Sequence, residues 1–168
     1  MAEKEKTPLE TAVAILTRQA VSRQFLKKKL HDKGFSWKTA EETAQECERY
    51  GYVNDKLTAE SKVGFMRDRG DGSRKIKLSL RMKGFSKEII DQAISNDEAL
   101  SGRTELSVAL ERLRRKKQSF DREKDIIKKK TRALRALASK GFPAGISYQA
   151  ISEFFGDSED AFEEEAVQ

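Results

Sequence analysis

One phrase occurs three times in this chain, and it limits the possible folds more than any other feature. Leu30-His-Asp-Lys33-Gly34-Phe35, Leu80-Arg-Met-Lys83-Gly84-Phe85 and Leu137-Ala-Ser-Lys140-Gly141-Phe142 share the pattern Leu-x-x-Lys-Gly-Phe. The three glycines stand 50 and 57 residues apart, a spacing expected of a repeated supersecondary unit. A glycine just past a helix can take the left-handed conformation that closes the last turn. The residue after it then meets the one three places from the helix end. Here those two are Phe and Leu. The lysine sits at the negative end of the helix dipole. Ser36 and Ser86 follow with hydroxyls placed to cap the next helix, and Pro143 stops the third helix from continuing. Each copy predicts helix, tight turn, helix. Leu30, Gly34, Phe35, Leu80, Gly84, Phe85, Leu137, Gly141 and Phe142 are therefore assigned as structural hinges.

The intervening sequence supplies the rest of each unit. Thr7-Pro8-Leu9-Glu10 is a capping box, and Leu9, Ala12, Val13, Leu16 and Ala20 follow on one face. Ser22 caps a second helix carrying Leu26 and Leu30. A third, from Trp37, carries Ala40, Thr43, Ala44 and Cys47 to Gly51. Asn54 caps a fourth with Ala59, Val63 and Met66 inward, and a fifth begins near Ser73 with Ile76 and Leu80. A sixth carries Ile89, Ile90, Ala93 and Ile94, and Asn96, Asp97, Ser101 and Gly102 mark a connection. Leu106, Ala109, Leu110 and Leu113 define a seventh. Gln118–Asp121 is expected as a turn with Asp121 as the next cap. The eighth turns Ile127, Leu134 and Leu137 inward, and the ninth carries Ile146, Tyr148, Ala150, Ile151 and Phe154. Ten residues past each hinge glycine stand Ala44, Ile94 and Ile151, so the repeat persists beyond the turn itself. The expected fold is all-α: three tandem three-helix repeats, 8–52, 54–96 and 103–156, forming an elongated, curved helical array. An acidic disordered tail, 157–168, follows.

Charged and hydrophobic residues each make up 37% of the 168 residues, which suits a row of small units better than one large core. With one cysteine (Cys47) and one histidine (His31), the chain forms no internal disulfide and no Cys/His zinc site. No apolar run approaches the roughly 20 residues that cross a bilayer, and MAEKEKT lacks the apolar core of a secretory signal. A cytoplasmic monomer is expected, with no membrane partner. No phosphate-cradling loop, nucleophile–base pair or metal set can be assembled, so neither enzyme activity nor a cofactor is expected.

Charge distribution is more informative. The segment from Gly156 onward has six acids and no base, which leaves +12 on the rest of a chain whose net charge is +6. A body that basic points to a polyanionic partner. The candidate surface is Arg67, Arg69, Arg74, Lys75, Lys77 and Arg81 in the middle of the chain, with Arg114, Arg115, Lys116, Lys117, Lys128, Lys129 and Arg132 further on. By spacing, Arg74, Lys77 and Arg81 share a helical face, as do Arg114 and Lys117. Trp37, Tyr50 and Tyr148 are the aromatics available for base stacking.

The order of these pieces resembles one known family. Ser22-x-x-Phe25-Leu26-x-x-Lys29-Leu30-x-x-Lys33-Gly34-Phe35, then Gly51-Tyr52-Val53-Asn54-Asp55 with Ala59, are similar to the opening of RecX proteins. Gly70-x-Gly72-x-x-Lys75-Ile76-x-x-x-Leu80-x-x-Lys83-Gly84-Phe85 follows in the same order, and Ala109, Leu113, Lys116-Lys117, Asp121 and the third hinge complete it. The resemblance runs from about residue 10 to 155. RecX-like sequences usually carry Glu where Phe25 stands and often aromatics where Thr58 and Asp71 stand. The resemblance implies a regulator that binds the RecA filament on single-stranded DNA within its helical groove. It would inhibit filament growth, ATP hydrolysis, strand exchange and coprotease activity, with at most weak duplex binding. The alternative is a helix-turn-helix-like DNA-binding protein acting without RecA, whose Lys-Gly-Phe turns would place the following helix in the major groove.

Overall fold

The computed structural model describes residues 6–156, so the acidic tail lies outside the described residues. Ten α-helices form: α1 (Pro8–Arg18), α2 (Arg23–Asp32), α3 (Trp37–Arg49), α4 (Asp55–Asp68), α5 (Ser73–Met82), α6 (Lys87–Ser101), α7 (Glu105–Arg115), α8 (Lys117–Asp121), α9 (Ile126–Ala138) and α10 (Ala144–Phe155). No strand occurs among the described residues, and the fold is the all-α, tandem three-helix type that the hinges predict. Contacts divide the chain into two compact units, Met1–Val63 with Lys77–Asn96 and Gly64–Ile76 with Asp97–Gln168. The division passes through α4 and α5.

In the first unit, Ala12, Leu26, Leu30, Ala40, Ala44 and Cys47 are fully buried together, with Val21 and Val53 nearly so. Burying each leucine contributes about 1.5–3 kcal/mol. The helix starts are capped as the sequence predicts. Thr7 and Glu10 exchange the two bonds of a capping box, and Ser22, Ser36 and Asn54 accept from Phe25, Thr39 and Leu57 N–H. At the first two hinges the Phe N–H donates to Leu O and the Gly N–H to the carbonyl three residues back, with Gly34 at φ 99° and Gly84 at φ 79°. The second hinge also seals the start of α2. Ser22 Oγ–H donates to Lys83 O at 2.5 Å, and Asp55 Oδ1 accepts the Arg23 N–H at 2.8 Å.

The second unit repeats that junction one step along. Gly72 N–H donates to Lys140 O at 2.7 Å and Arg74 N–H to Gly141 O at 3.0 Å, so free amides of a helix start meet free carbonyls of a helix end. Glu105 Oε1 accepts the Ser73 N–H at 2.7 Å, as Asp55 does for Arg23. Both acids are the first residue of their helix, directly after the caps Asn54 and Thr104. The core of this unit is Val108, Ala109, Leu113, Phe120, Ala133, Leu137, Phe142, Ala150 and Ile151.

Several sequence expectations give way. Among the described residues ten helices replace nine, because Lys117–Asp121 is a one-turn helix and not a turn. It buries Phe120 to 1% exposure, edge-on to Phe154 and Phe155. Asp125, not Asp121, then caps α9, accepting from Ile127 and Lys128 N–H. α9 turns Lys130, Ala133 and Leu137 inward and leaves Ile127 exposed. α6 continues through Asn96 and Asp97 to Ser101. Their side chains bond Glu60 and Arg103, so they do not compete for their own backbone. α1 stops at Arg18 and leaves Ala20 exposed beyond it, while Val13 within the helix lies on its outer face.

Candidate partner-binding surface

The thirteen candidate cations divide into those paired with a carboxylate and those without such a pair among the described residues. Arg67 is the clearest departure from a surface role. It lies on the inner stripe of α4 with Ala59 and Val63, and its side chain has no exposure. Its Nη1 contacts Glu105 Oε2 at 2.5 Å and its Nη2 lies 3.4 Å from Glu98 Oε1. The Glu105 contact is ionic without hydrogen-bond alignment, and Nε has no partner among the described residues. An arginine so desolvated is a structural group, unavailable to a partner.

Four others are held by carboxylates. Lys75 Nζ lies 2.9 Å from Asp71 Oδ1, which Lys140 also approaches at 3.0 Å. Burial pushes the Asp71 carboxyl up, but the two ammonium groups more than offset it and hold it below the ordinary range. Lys77 pairs with Asp91 at 2.7 Å, and its hydrogen bond lowers the Asp91 carboxyl. Arg115 pairs with Glu111 and donates to Asp68 O at 3.2 Å. Lys117 pairs with Asp121 at 2.7 Å. Arg114 and Lys117 do not share a helical face, because α7 ends at Arg115 and α8 begins at Lys117.

Arg69, Arg74, Arg81, Arg114, Lys116, Lys128, Lys129 and Arg132 form no salt bridge among the described residues. All are exposed except the half-buried Lys129. Arg69 lies 5.7 Å over the ring of Phe65, and Arg132 donates to Ser119 O. In the first unit, α5 also exposes an apolar ridge that periodicity alone should have flagged. Leu78 is 62% and Met82 76% exposed, one turn apart and beside Arg81. Ile76, Leu78, Leu80 and Met82 alternate, and one inner stripe of a helix can take only Ile76 and Leu80. An apolar pair bordered by cations suits a protein surface carrying carboxylates around an apolar pocket.

The remaining candidates are structural or unsuited to chemistry. Cys47 is fully buried, and burial pushes its thiol up. His31 bonds Phe35 O through Nδ1 and stacks on Trp37 at 3.8 Å. Trp37 and Tyr50 remain about half exposed, with Lys27 and Arg49 over their rings. Among the described residues no group of His, Cys, Asp and Glu is placed to hold a metal, and no helix is long and apolar enough to cross a membrane.

A family model for the second three-helix domain of RecX matches residues 54–94. The regulatory protein RecX of Thermus thermophilus is 30% identical over 142 residues, covering 84% of this chain and 88% of the relative. That of Legionella pneumophila is 30% identical over 89 residues, 53% of this chain, and the match spans 59% of the relative's length. The crystal structure of RecX from Lactobacillus salivarius superposes with a TM-score of 0.75 at 22% identity, covering 88% of this chain and 94% of that one.

Proposed function

The chain belongs to the RecX family, and from that premise we propose that it regulates the RecA recombinase by binding RecA filaments on single-stranded DNA. The observation that carries this reading is the exposed Leu78–Met82 ridge with Arg81 beside it. It is a patch with no role in the protein's own core, and it suits a protein partner as well as an anion. The remaining cations without a carboxylate partner among the described residues, Arg69, Arg74, Arg114, Lys116, Lys128, Lys129 and Arg132, would meet acidic filament surface or the DNA backbone. Repeated three-helix groups can contact successive filament subunits, so individually weak contacts combine by multivalency. Bound in the filament groove, the protein would bridge neighbouring subunits. It would thereby suppress filament growth, ATP hydrolysis, strand exchange and coprotease activity without chemistry of its own.

Helix-turn-helix binding to duplex DNA is the weaker reading. The helices after the first two hinges present Glu41 and Asp91, which tie up Arg23, Lys27 and Lys77. The test is RecA ATP hydrolysis on single-stranded DNA with this protein titrated in. Inhibition is expected, and Leu78→Asp with Met82→Asp should abolish it. Inhibition well below one protein per RecA would place the action at filament growth. No effect at any ratio, with tight binding to bare duplex, would overturn the proposal.

A further inference from the structure

We propose that the acidic segment 157–168 docks on the first two turns of α9 in the free protein and masks the cations there. The masking half of this inference rests on the role proposed above for Lys128, Lys129 and Arg132. The docking half does not.

The target is an unusual helix start. Ile126 and Ile127 are 41% and 53% exposed and adjacent. Lys128, Lys129 and Arg132 follow, with no carboxylate partner among the described residues. The neighbouring acids are already engaged. Asp125 accepts the Ile127 and Lys128 amides, Glu123 accepts the Lys124 and Asp125 amides, and Asp121 pairs with Lys117. The patch is therefore apolar and cationic. The segment has the matching composition: Asp157, Glu159, Asp160, Glu163, Glu164 and Glu165, with Phe162 and Val167 among them.

α10 ends at Phe155, where Phe154 and Phe155 pack edge-on to Phe120. Lys130 Nζ lies 3.4 Å from Gly156 O, so the last residue before the segment sits beside α9. From Lys130 back to Ile126 is about one helical turn, roughly 6 Å. Twelve further residues extend up to roughly 40 Å, so reach is no obstacle. Opposite charges at such short range attract at low salt and are screened at high salt.

The test uses the full chain with a nitroxide at Ala166→Cys; the fully buried Cys47 does not compete for the label. Amide signals of Ile126–Arg132 should be selectively broadened at low salt. They should recover at 1 M NaCl, and in a Lys128→Glu, Lys129→Glu variant. Uniform broadening, or broadening centred elsewhere, would overturn the docking. The second arm is affinity for a single-stranded oligonucleotide. Glu163→Gln, Glu164→Gln and Glu165→Gln together should tighten binding about tenfold at low salt and leave it unchanged at high salt, as expected for three weak surface pairs. Localised broadening with unchanged affinity would keep the docked segment and overturn α9 as a DNA contact.

Discussion

Replacing Gly141 by alanine should cost far more than the same change at Gly51, although the two glycines have nearly the same backbone. Gly141 has φ 78° and Gly51 has φ 76°, so alanine meets the same left-handed strain at both, about 1–2 kcal/mol. Their surroundings differ. A Cβ on Gly51 would meet nothing within 4 Å, whereas one on Gly141 would lie 2.5 Å from Lys75 N and Cβ. That obstacle is the backbone of α5, held there by the Gly72-to-Lys140 and Arg74-to-Gly141 hydrogen bonds. Relief means opening the junction, at about 1–3 kcal/mol for overpacking. Gly141→Ala should therefore lose about 2–5 kcal/mol and Gly51→Ala about 1–2. Urea unfolding of both variants measures the difference, and amide exchange at Gly72 and Arg74, the two amides bonded across the junction, locates it. Equal losses, or exchange unchanged at α5, would refute the claim that close backbone approach limits this site.

Four further outcomes follow from named contacts. Arg67→Ala should lose about 3–5 kcal/mol by stranding Glu105, which is mostly buried; a loss below about 1 kcal/mol in urea unfolding would make the pair peripheral. Glu105→Ala should cost clearly more than Asp55→Ala, because Glu105 both caps Ser73 and faces Arg67, while Asp55 caps Arg23 alone at about 1 kcal/mol. Asp71 has a depressed carboxyl, so its stabilisation is present above the unfolded value of about 4 and is lost as pH falls through the folded one. Asp71→Asn should accordingly be less stable than the parent at pH 6 and converge with it under acid, and a constant difference across that range would exclude the linkage. Lys128→Glu with Lys129→Glu should lower the salt slope of single-stranded DNA binding by about 1.4 for two backbone contacts, which a fluorescence titration reads directly.

The hinges were legible because helix endings are local chemistry: glycine, the residue after it and the leucine before it lie within six positions. The same locality fixed the caps at Thr7, Ser22, Ser36 and Asn54. What the sequence concealed was mostly set at long range. Arg67 sits in a basic run and reads as surface, while Glu98 and Glu105 lie 31 and 38 residues away. Phase should nonetheless have flagged it, since Ala59, Val63 and Arg67 fall at i, i+4 and i+8. Lys130 is the parallel case, in step with Ala133 and Leu137 and only 3% exposed. Helical phase outranks residue type when a long cation can find a partner inside. α8 was hidden for another reason: one turn of helix is too short to show periodicity, and Phe120 is held by the end of α10.

The hinge phrase has a second duty that its own residues do not reveal. Lys83 O receives the Ser22 hydroxyl, and Lys140 O receives the Gly72 amide. A hinge that closes one helix thus also seats the start of an earlier one. Close seating requires a small residue there, and the position twelve before each glycine holds Ser22, Gly72 and Lys129. The first two are small, and each is met by a hinge. A Cβ on Gly72 would fall 2.6 Å from the Gly141 backbone. At the third position α9 instead runs one turn further back, to Ile126, and caps itself with Asp125. The lysine and the extra turn exclude the seating used at α2 and α5. That exclusion leaves Ile126, Ile127 and Lys128 exposed, so the cationic and apolar start of α9 follows from the same repeat that buries Ser22 and Gly72.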